Sequence, residues 1–347
     1  KTKSDSTVEW AKNFDDIWSS VPYGKPKALQ TYDGGYIFAG TMNDGGTTSY
    51  DLVVIKLKPD LTFDWAKRYG PNNNSWDCLC DIEQTSDGGY IMVGSGTDIV
   101  NLNNYDALVI KIGSNGDKEW AKCFYANGYQ AGTQSHDFFI DVEKTLDGYV
   151  LGGDTQRMSA NDFLVIKIDP GGSISQYAGN NLWGVYGNFA QSTNDQFISI
   201  RQTQGTGYII GGKKNYTDIV LVRINQNLAM SWNQVYDYGT AESFSTVLPI
   251  SSGYLVGGNK RVGAGTITHA FLLALDQSAN FVWAKSYGGT SNDYLYALSL
   301  TTDGYVFGGQ TNSFSGYGSS PDALLLRTDS SGDITCCPIY QNENAPS

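Results

Sequence analysis

The 347 residues hold 35 Asp and Glu against 23 Lys and Arg, a net charge of -12 with a pI near 4.5, which argues against nucleic acid as a partner. No apolar run reaches the roughly 18 residues that a membrane-spanning helix needs. Charged residues make up only 17% of the chain while glycine reaches 41 and tyrosine 23, a composition that suits many short strands joined by polar turns.

The chain begins on Lys1 and not Met, from which, with its acidic Asn/Ser/Thr-rich surface, we expect a mature extracellular or cell-surface protein. The first predicted strand surrounds Trp10-Ala11-Lys12. A unit of four strand-like segments then recurs. Segment A leads into a turn box, Thr31-Tyr32-Asp33-Gly34-Gly35-Tyr36 in the first unit and Thr85-Ser86-Asp87-Gly88-Gly89-Tyr90 in the second. Segment B starts at the box tyrosine. Segment C is an apolar run such as Leu52-Val53-Val54-Ile55-Lys56 or Ala107-Leu108-Val109-Ile110-Lys111, the pattern of a strand buried on both faces. Segment D carries Trp-Ala-Lys, as in Trp65-Ala66-Lys67 and Trp120-Ala121-Lys122.

The later boxes are Thr145-Leu146-Asp147-Gly148-Tyr149, Thr203-Gln204-Gly205-Thr206-Gly207-Tyr208, Ile250-Ser251-Ser252-Gly253-Tyr254 and Thr301-Thr302-Asp303-Gly304-Tyr305. Their tyrosines are 46 to 59 residues apart, near the period of propeller blades. The expected fold is therefore all-β: a single six-bladed β-propeller over residues 1–340 with a tail at 341–347. Its four-stranded blades are expected at 24–70, 77–125, 137–178, 195–238, 243–288 and 294–340. Segment D occurs seven times, from Trp10 to Ile334-Thr335-Cys336-Cys337, against six each of A, B and C. One terminal strand is surplus. Residues 1–13 or the Cys336 segment complete the last blade, and the spare strand either packs beside a blade or is donated to a neighbouring subunit.

The repeats resemble the Asp-Gly-Gly-Tyr type of secreted and surface β-propeller repeat found in bacteria and archaea, similar in style to the delta-60 and SBBP repeat families. The resemblance spans nearly the whole chain and implies a scaffold, not a reaction. Units four and five depart from it, with Gly205 and Ser252 where the others have Asp.

No catalytic constellation emerges. His136 and His269 have no nucleophile elbow nearby, and His269 stands where other units have Asp51, Asp106, Asp162, Asp218 and Asp322, which favours a structural role. No metal site is assigned and no cofactor is expected. The oxygen-rich turns leave calcium open but lack the Asp-x-Asp-x-Asp-Gly spacing. Variable loops carry Trp76, Tyr129, Trp183, Tyr186 and Tyr317 among amides and hydroxyls, a set suited to a sugar or protein partner or to packing over blade ends. Cys78, Cys80, Cys123, Cys336 and Cys337 are disulfide candidates, one or two bridges within the chain or a link between chains. Asn73 and Asn215 head glycosylation sequons. The lysines after segment C and in Trp-Ala-Lys are expected to lay apolar stems on the sheet with their heads in water, guarding strand ends. The tryptophans of segment D are expected to wedge between blades.

These readings point to a non-enzymatic structural or adhesive propeller. It is expected to self-assemble through Trp10, Cys336 or Cys337 into a filament or surface layer. A carbohydrate- or protein-binding module is the alternative, and a glycosidase or polysaccharide lyase a weaker one.

Overall fold

The computed structural model describes residues 26–43, 50–70, 76–97, 105–124, 136–157, 160–176, 185–186, 195–239, 242–262, 266–313, 321–334 and 340–343. These residues form six antiparallel sheets and no helix, the blades of a six-bladed β-propeller. Two compact units divide the chain after Cys123.

The first unit contains two four-stranded sheets, each in chain order. Sheet one is β1 (Lys27–Gln30), β2 (Tyr36–Asn43), β3 (Tyr50–Leu57) and β4 (Phe63–Tyr69). Sheet two is β5 (Cys78–Gln84), β6 (Tyr90–Thr97), β7 (Tyr105–Ile112) and β8 (Lys118–Phe124).

The second unit opens with sheet three, β9 (Asp137–Thr145), β10 (Gly148–Arg157), β11 (Ala160–Ile168), β12 (Ile174–Gln176) and β13 (Val185–Tyr186). Its outer position is shared by β12 and β13, both paired with β11. Sheet four is β14 (Gln196–Gln202), β15 (Tyr208–Lys214), β16 (Asp218–Ile224) and β17 (Met230–Tyr236). Sheet five is β18 (Glu242–Ile250), β19 (Gly253–Val262), β20 (Ile267–Asp276) and β21 (Phe281–Tyr287); sheet six is β22 (Asp293–Leu300), β23 (Gly304–Thr311) and β24 (Asp322–Asp329). A final strand, β25 (Tyr340–Glu343), adds to the outer edge of sheet five, with Tyr287 opposite Tyr340 and Ala284 opposite Glu343.

The apolar C segments become the third strand of each sheet, and β3 is buried from Asp51 to Leu57. Val, Ile and Leu at alternate positions face opposite sides of a strand, so each run feeds two cores at once. One core joins sheets one and two through Ile37, Leu52, Val54, Ile82, Tyr90 and Met92. Others join sheets three and four, four and five, and five and six. Burying each such side chain contributes about 1.5–3 kcal/mol.

The first strands of sheets two to six carry a recurring bulge where they pair with the second. In sheet two the pairing slips between Leu79 and Asp81, and in sheet three between Phe139 and Asp141. The facing glycine makes the slip feasible: a Cβ on Gly94 would stand 1.9 Å from the Cys78 carbonyl oxygen, and one on Gly153 1.7 Å from that of Phe138.

Candidate functional site

The turn box is a charged lock. Asp33 accepts hydrogen bonds from the Thr31 hydroxyl at 2.5 Å and the Gly35 amide at 2.9 Å. It then receives Lys56, whose Nζ lies 2.9 Å from Oδ2 and also donates to the Leu57 carbonyl at 3.1 Å. Gly34 takes a positive φ of 82° in the turn, and a Cβ on Gly35 would meet the Leu57 oxygen at 2.4 Å, so the two glycines have separate jobs. The second box repeats the arrangement with Asp87, Thr85, Gly89 and Lys111. Lys167 reaches Asp147 at 2.9 Å and Arg327 reaches Asp303 at 2.5 Å. Burial pushes the Asp33 and Asp87 carboxyls up, but the threonine hydroxyls, the lysines and the glycine amides outweigh it and hold both at about 2.

This corrects the expectation for the lysines after segment C. Lys56, Lys111 and Lys167 are buried, and their ammonium groups pair with the box Asp because a charge at that depth needs a partner. The two departing units fit the same rule. Sheet five has Ser252 in the box and Ala274 at the lysine position, opposite Leu255 as Lys56 is opposite Ile37. In sheet four Arg223 turns instead to carbonyls, those of Thr206, Tyr208 and Ile224.

The fourth strands of sheets one, four and five each latch onto the next sheet in chain order. Trp65, Lys67 and Tyr69 share a face of β4. Trp65 Nε1 donates to the Ser114 carbonyl at 3.2 Å, Lys67 pairs with Asp117 at 2.5 Å, and the Tyr69 hydroxyl donates to the Gly116 carbonyl at 2.6 Å. Trp65 also meets Tyr90 edge-on. From β21, Lys285 pairs with Asp333, the Tyr287 hydroxyl donates to the Gly332 carbonyl at 2.8 Å, and Trp283 lies against Tyr305. Trp232 and Tyr236 of β17 do the same toward Tyr254 and the Ala279 carbonyl. Trp65, Trp232 and Trp283 are wedges, as expected, and Lys67 and Lys285 make ion pairs with the next turn.

Sheet six differs. Among the described residues no strand pairs with the outer edge of β24, whereas the corresponding edge of β20 carries β21, and β25 extends that sheet further. Leu325 on β24 is 53% exposed, and Tyr296 and Leu300 on β22 are exposed as well. Tyr294 and Tyr296 stack with ring centres 6.2 Å apart. An edge of backbone amides and carbonyls that no strand covers is a ready template for another strand; of these exposed side chains Leu325 lies on β24 itself, whereas Tyr296, Leu300 and the tyrosine stack lie on β22, at the other side of the sheet.

Trp76, the one loop aromatic whose surroundings are described, is 39% exposed; it packs edge-on against Tyr50 at 5.1 Å, and its amide donates to Thr97 Oγ1. Tyr186 lies in β13, its backbone opposite Phe163. Tyr129, Trp183, Tyr317, Trp10, Cys336, Cys337 and Asn73 lie outside the described residues. Asn215 is exposed in a tight turn with φ of 52°. Cys78, Cys80 and Cys123 carry thiols, which corrects the expected bridges among them. Residues two apart on one strand are held roughly 6.6 Å apart at Cα, near the far end of the disulfide range. His269 is buried and bonds the Gly289 carbonyl through Nε2 at 3.0 Å, a structural position. Asp218, Asp237 and Glu242 bring one carboxylate oxygen each within 4.8 Å of the others, the one such set of three among the described residues.

No protein-family profile matches the chain, and no curated protein does. Twenty chains of solved structures match it. One is a protein of unknown function from Bacteroides caccae, 11% identical, with a TM-score of 0.48 over 88% of this chain and 93% of its own. No activity transfers from it.

Proposed function

We propose that this chain is a non-enzymatic structural propeller that assembles with copies of itself, the outer edge of β24 in one copy receiving the segment around Trp10 of another. The observation that carries the reading is the edge of sheet six, which has no partner strand among the described residues while the C-terminal strand lies on sheet five. The donor is chosen by chemistry. Val8-Glu9-Trp10-Ala11-Lys12-Asn13-Phe14 repeats the Trp, Lys and aromatic spacing with which Trp65, Lys67 and Tyr69 bind the neighbouring sheet. The Cys336 segment has Pro338 where that lysine belongs, and proline lacks the amide that a strand pair uses. Added strands gain main-chain hydrogen bonds for affinity and alternate side-chain pockets for specificity. An extracellular site, and kinship with the Asp-Gly-Gly-Tyr surface repeats, belong to this same reading.

Analytical ultracentrifugation and negative-stain imaging of the full chain and of a chain lacking residues 1–13 test it. Concentration-dependent polymers of the full chain, lost on truncation, are expected. A monomer at every concentration, unchanged by the truncation, would end the proposal and leave the β24 edge to be closed within one chain.

A further inference from the structure

Sheet two holds two thiols that neither the locks nor the latches use. Cys78 and Cys80 flank Leu79 on β5, and they are 6% and 9% exposed. Cys80 is the extra residue of the bulge, at the slip between Leu79, which faces Gly94, and Asp81, which faces Val93, and Cys78 lies two positions before it, opposite Ser95.

The repeat supplies an internal test of how side chains stand at that slip. In sheet six, where Leu295 faces Gly309 and Ala297 faces Gly308, the corresponding pair is Tyr294 and Tyr296, whose rings lie nearly parallel, 8° apart in plane. In sheet five it is Ser243 and Ser245, and both reach one small region: Ser245 donates to the Leu295 carbonyl, and Asn259 donates to both Ser243 and that carbonyl. Side chains at these two positions stand shoulder to shoulder. Cys78 and Cys80 do so in direct contact: the Cys80 thiol and the Thr41 hydroxyl both hydrogen-bond the Cys78 sulfur, and the Cys80 bond is the larger influence lowering that thiol's pKa.

Ligand number then limits the chemistry. The single converging set of three or more His, Cys, Asp or Glu groups among the described residues is Asp218, Asp237 and Glu242, so none of the described residues adds a third such ligand to the two sulfurs. A structural zinc site is closed by four ligands. Two thiolates alone suit a soft d10 ion that is content with two-coordination, and soft sulfur ligands select copper(I) among the biological metals. We propose that Cys78 and Cys80 form a two-coordinate, bis-thiolate site for copper(I).

Binding replaces two S–H bonds with two Cu–S bonds and releases two protons to solvent; no electron is transferred, because the metal arrives as copper(I). The resulting complex carries one negative charge. The ion pair of Lys27 with Asp81, at 2.8 Å, stands beside the site and adds no net charge to it, and burial keeps water from the metal.

The test uses the full chain carrying Cys123→Ser, Cys336→Ser and Cys337→Ser, titrated anaerobically with copper(I) against a chromogenic copper(I) chelator. One equivalent is expected to be retained by this triple variant. Adding Cys78→Ser or Cys80→Ser should weaken retention by on the order of a hundredfold or more, beyond what loss of an outer-shell contact does. X-ray absorption of the loaded triple variant should count two sulfur neighbours. Failure of the triple variant to hold copper against the chelator overturns the proposal, as does a full equivalent remaining after Cys78→Ser. The sulfur count is read on the folded triple variant itself, so one sulfur, or only nitrogen and oxygen, overturns it whether or not the serine variants fold.

Discussion

At the scale of single residues, the buried lysine explains the box better than the turn does. Asp33 alone is a turn residue with an exposed side chain, and Lys56 alone is a charge in an apolar strand; each is sensible only with the other. Sheet five, with Ser252 and Ala274, has lost both members together, as expected if leaving either one alone is the costly state. Asp33→Asn should therefore destabilise by about 1–3 kcal/mol, toward the lower end because water reaches the Asp33 side of the pair. The double change Asp33→Asn with Lys56→Met should recover most of that loss in urea unfolding, and a double variant as weak as the single one would refute the pairing argument. Acid gives a second handle. Because Asp33 and Asp87 are depressed from 3.8 to about 2, their contribution is complete above about pH 4 and disappears as pH falls through about 2. Carboxyl-carbon NMR should find both titrating near the lower value, and Asp33→Asn should flatten the acid limb of the stability curve.

At the scale of strands and turns, the chain declares its period openly. The boxes, the apolar C runs and the Trp-Ala-Lys segments appear in phase, and the six sheets follow them. What stays illegible is any feature that depends on residues distant in sequence. Lys56 and Asp33 are 23 positions apart, and a lysine ending an apolar run reads equally well as a guard at a strand end. The bulges are hidden too, since Gly94 and Gly153 look like ordinary strand glycines until the facing carbonyl is seen. The turns between third and fourth strands also disguise themselves: Leu61, Leu228 and Ala279 take positive φ of 60 to 68° where Gly116 and Gly332 do so in sheets two and six. These two kinds of backbone demand should separate in melting experiments. Ala279→Gly relieves a left-handed residue, less the added freedom of the unfolded chain, and should be neutral or stabilise by up to about 1 kcal/mol. Gly153→Ala drives a methyl into the Phe138 carbonyl and should cost about 2–4 kcal/mol.

At the scale of the whole molecule, charge opposes the assembly that the β24 edge invites. Each copy carries -12, so copies approaching one another repel, while under the proposed assembly a donated strand is held by main-chain hydrogen bonds and side-chain pockets, which salt screens little. Raising ionic strength shortens the Debye length from about 10 Å at 0.1 M to about 3 Å at 1 M. Polymer mass should therefore rise with salt, the reverse of what contacts built on exposed ion pairs would do. Lowering the pH toward the pI of about 4.5 should act in the same direction. The locks permit that experiment, because carboxyls held at about 2 are still ionised there and the blades keep their buried lysines paired while the repulsion fades. Sedimentation across both series checks the expectation. Polymers that dissolve in salt would mean that surface charge, and not an added strand, joins the subunits.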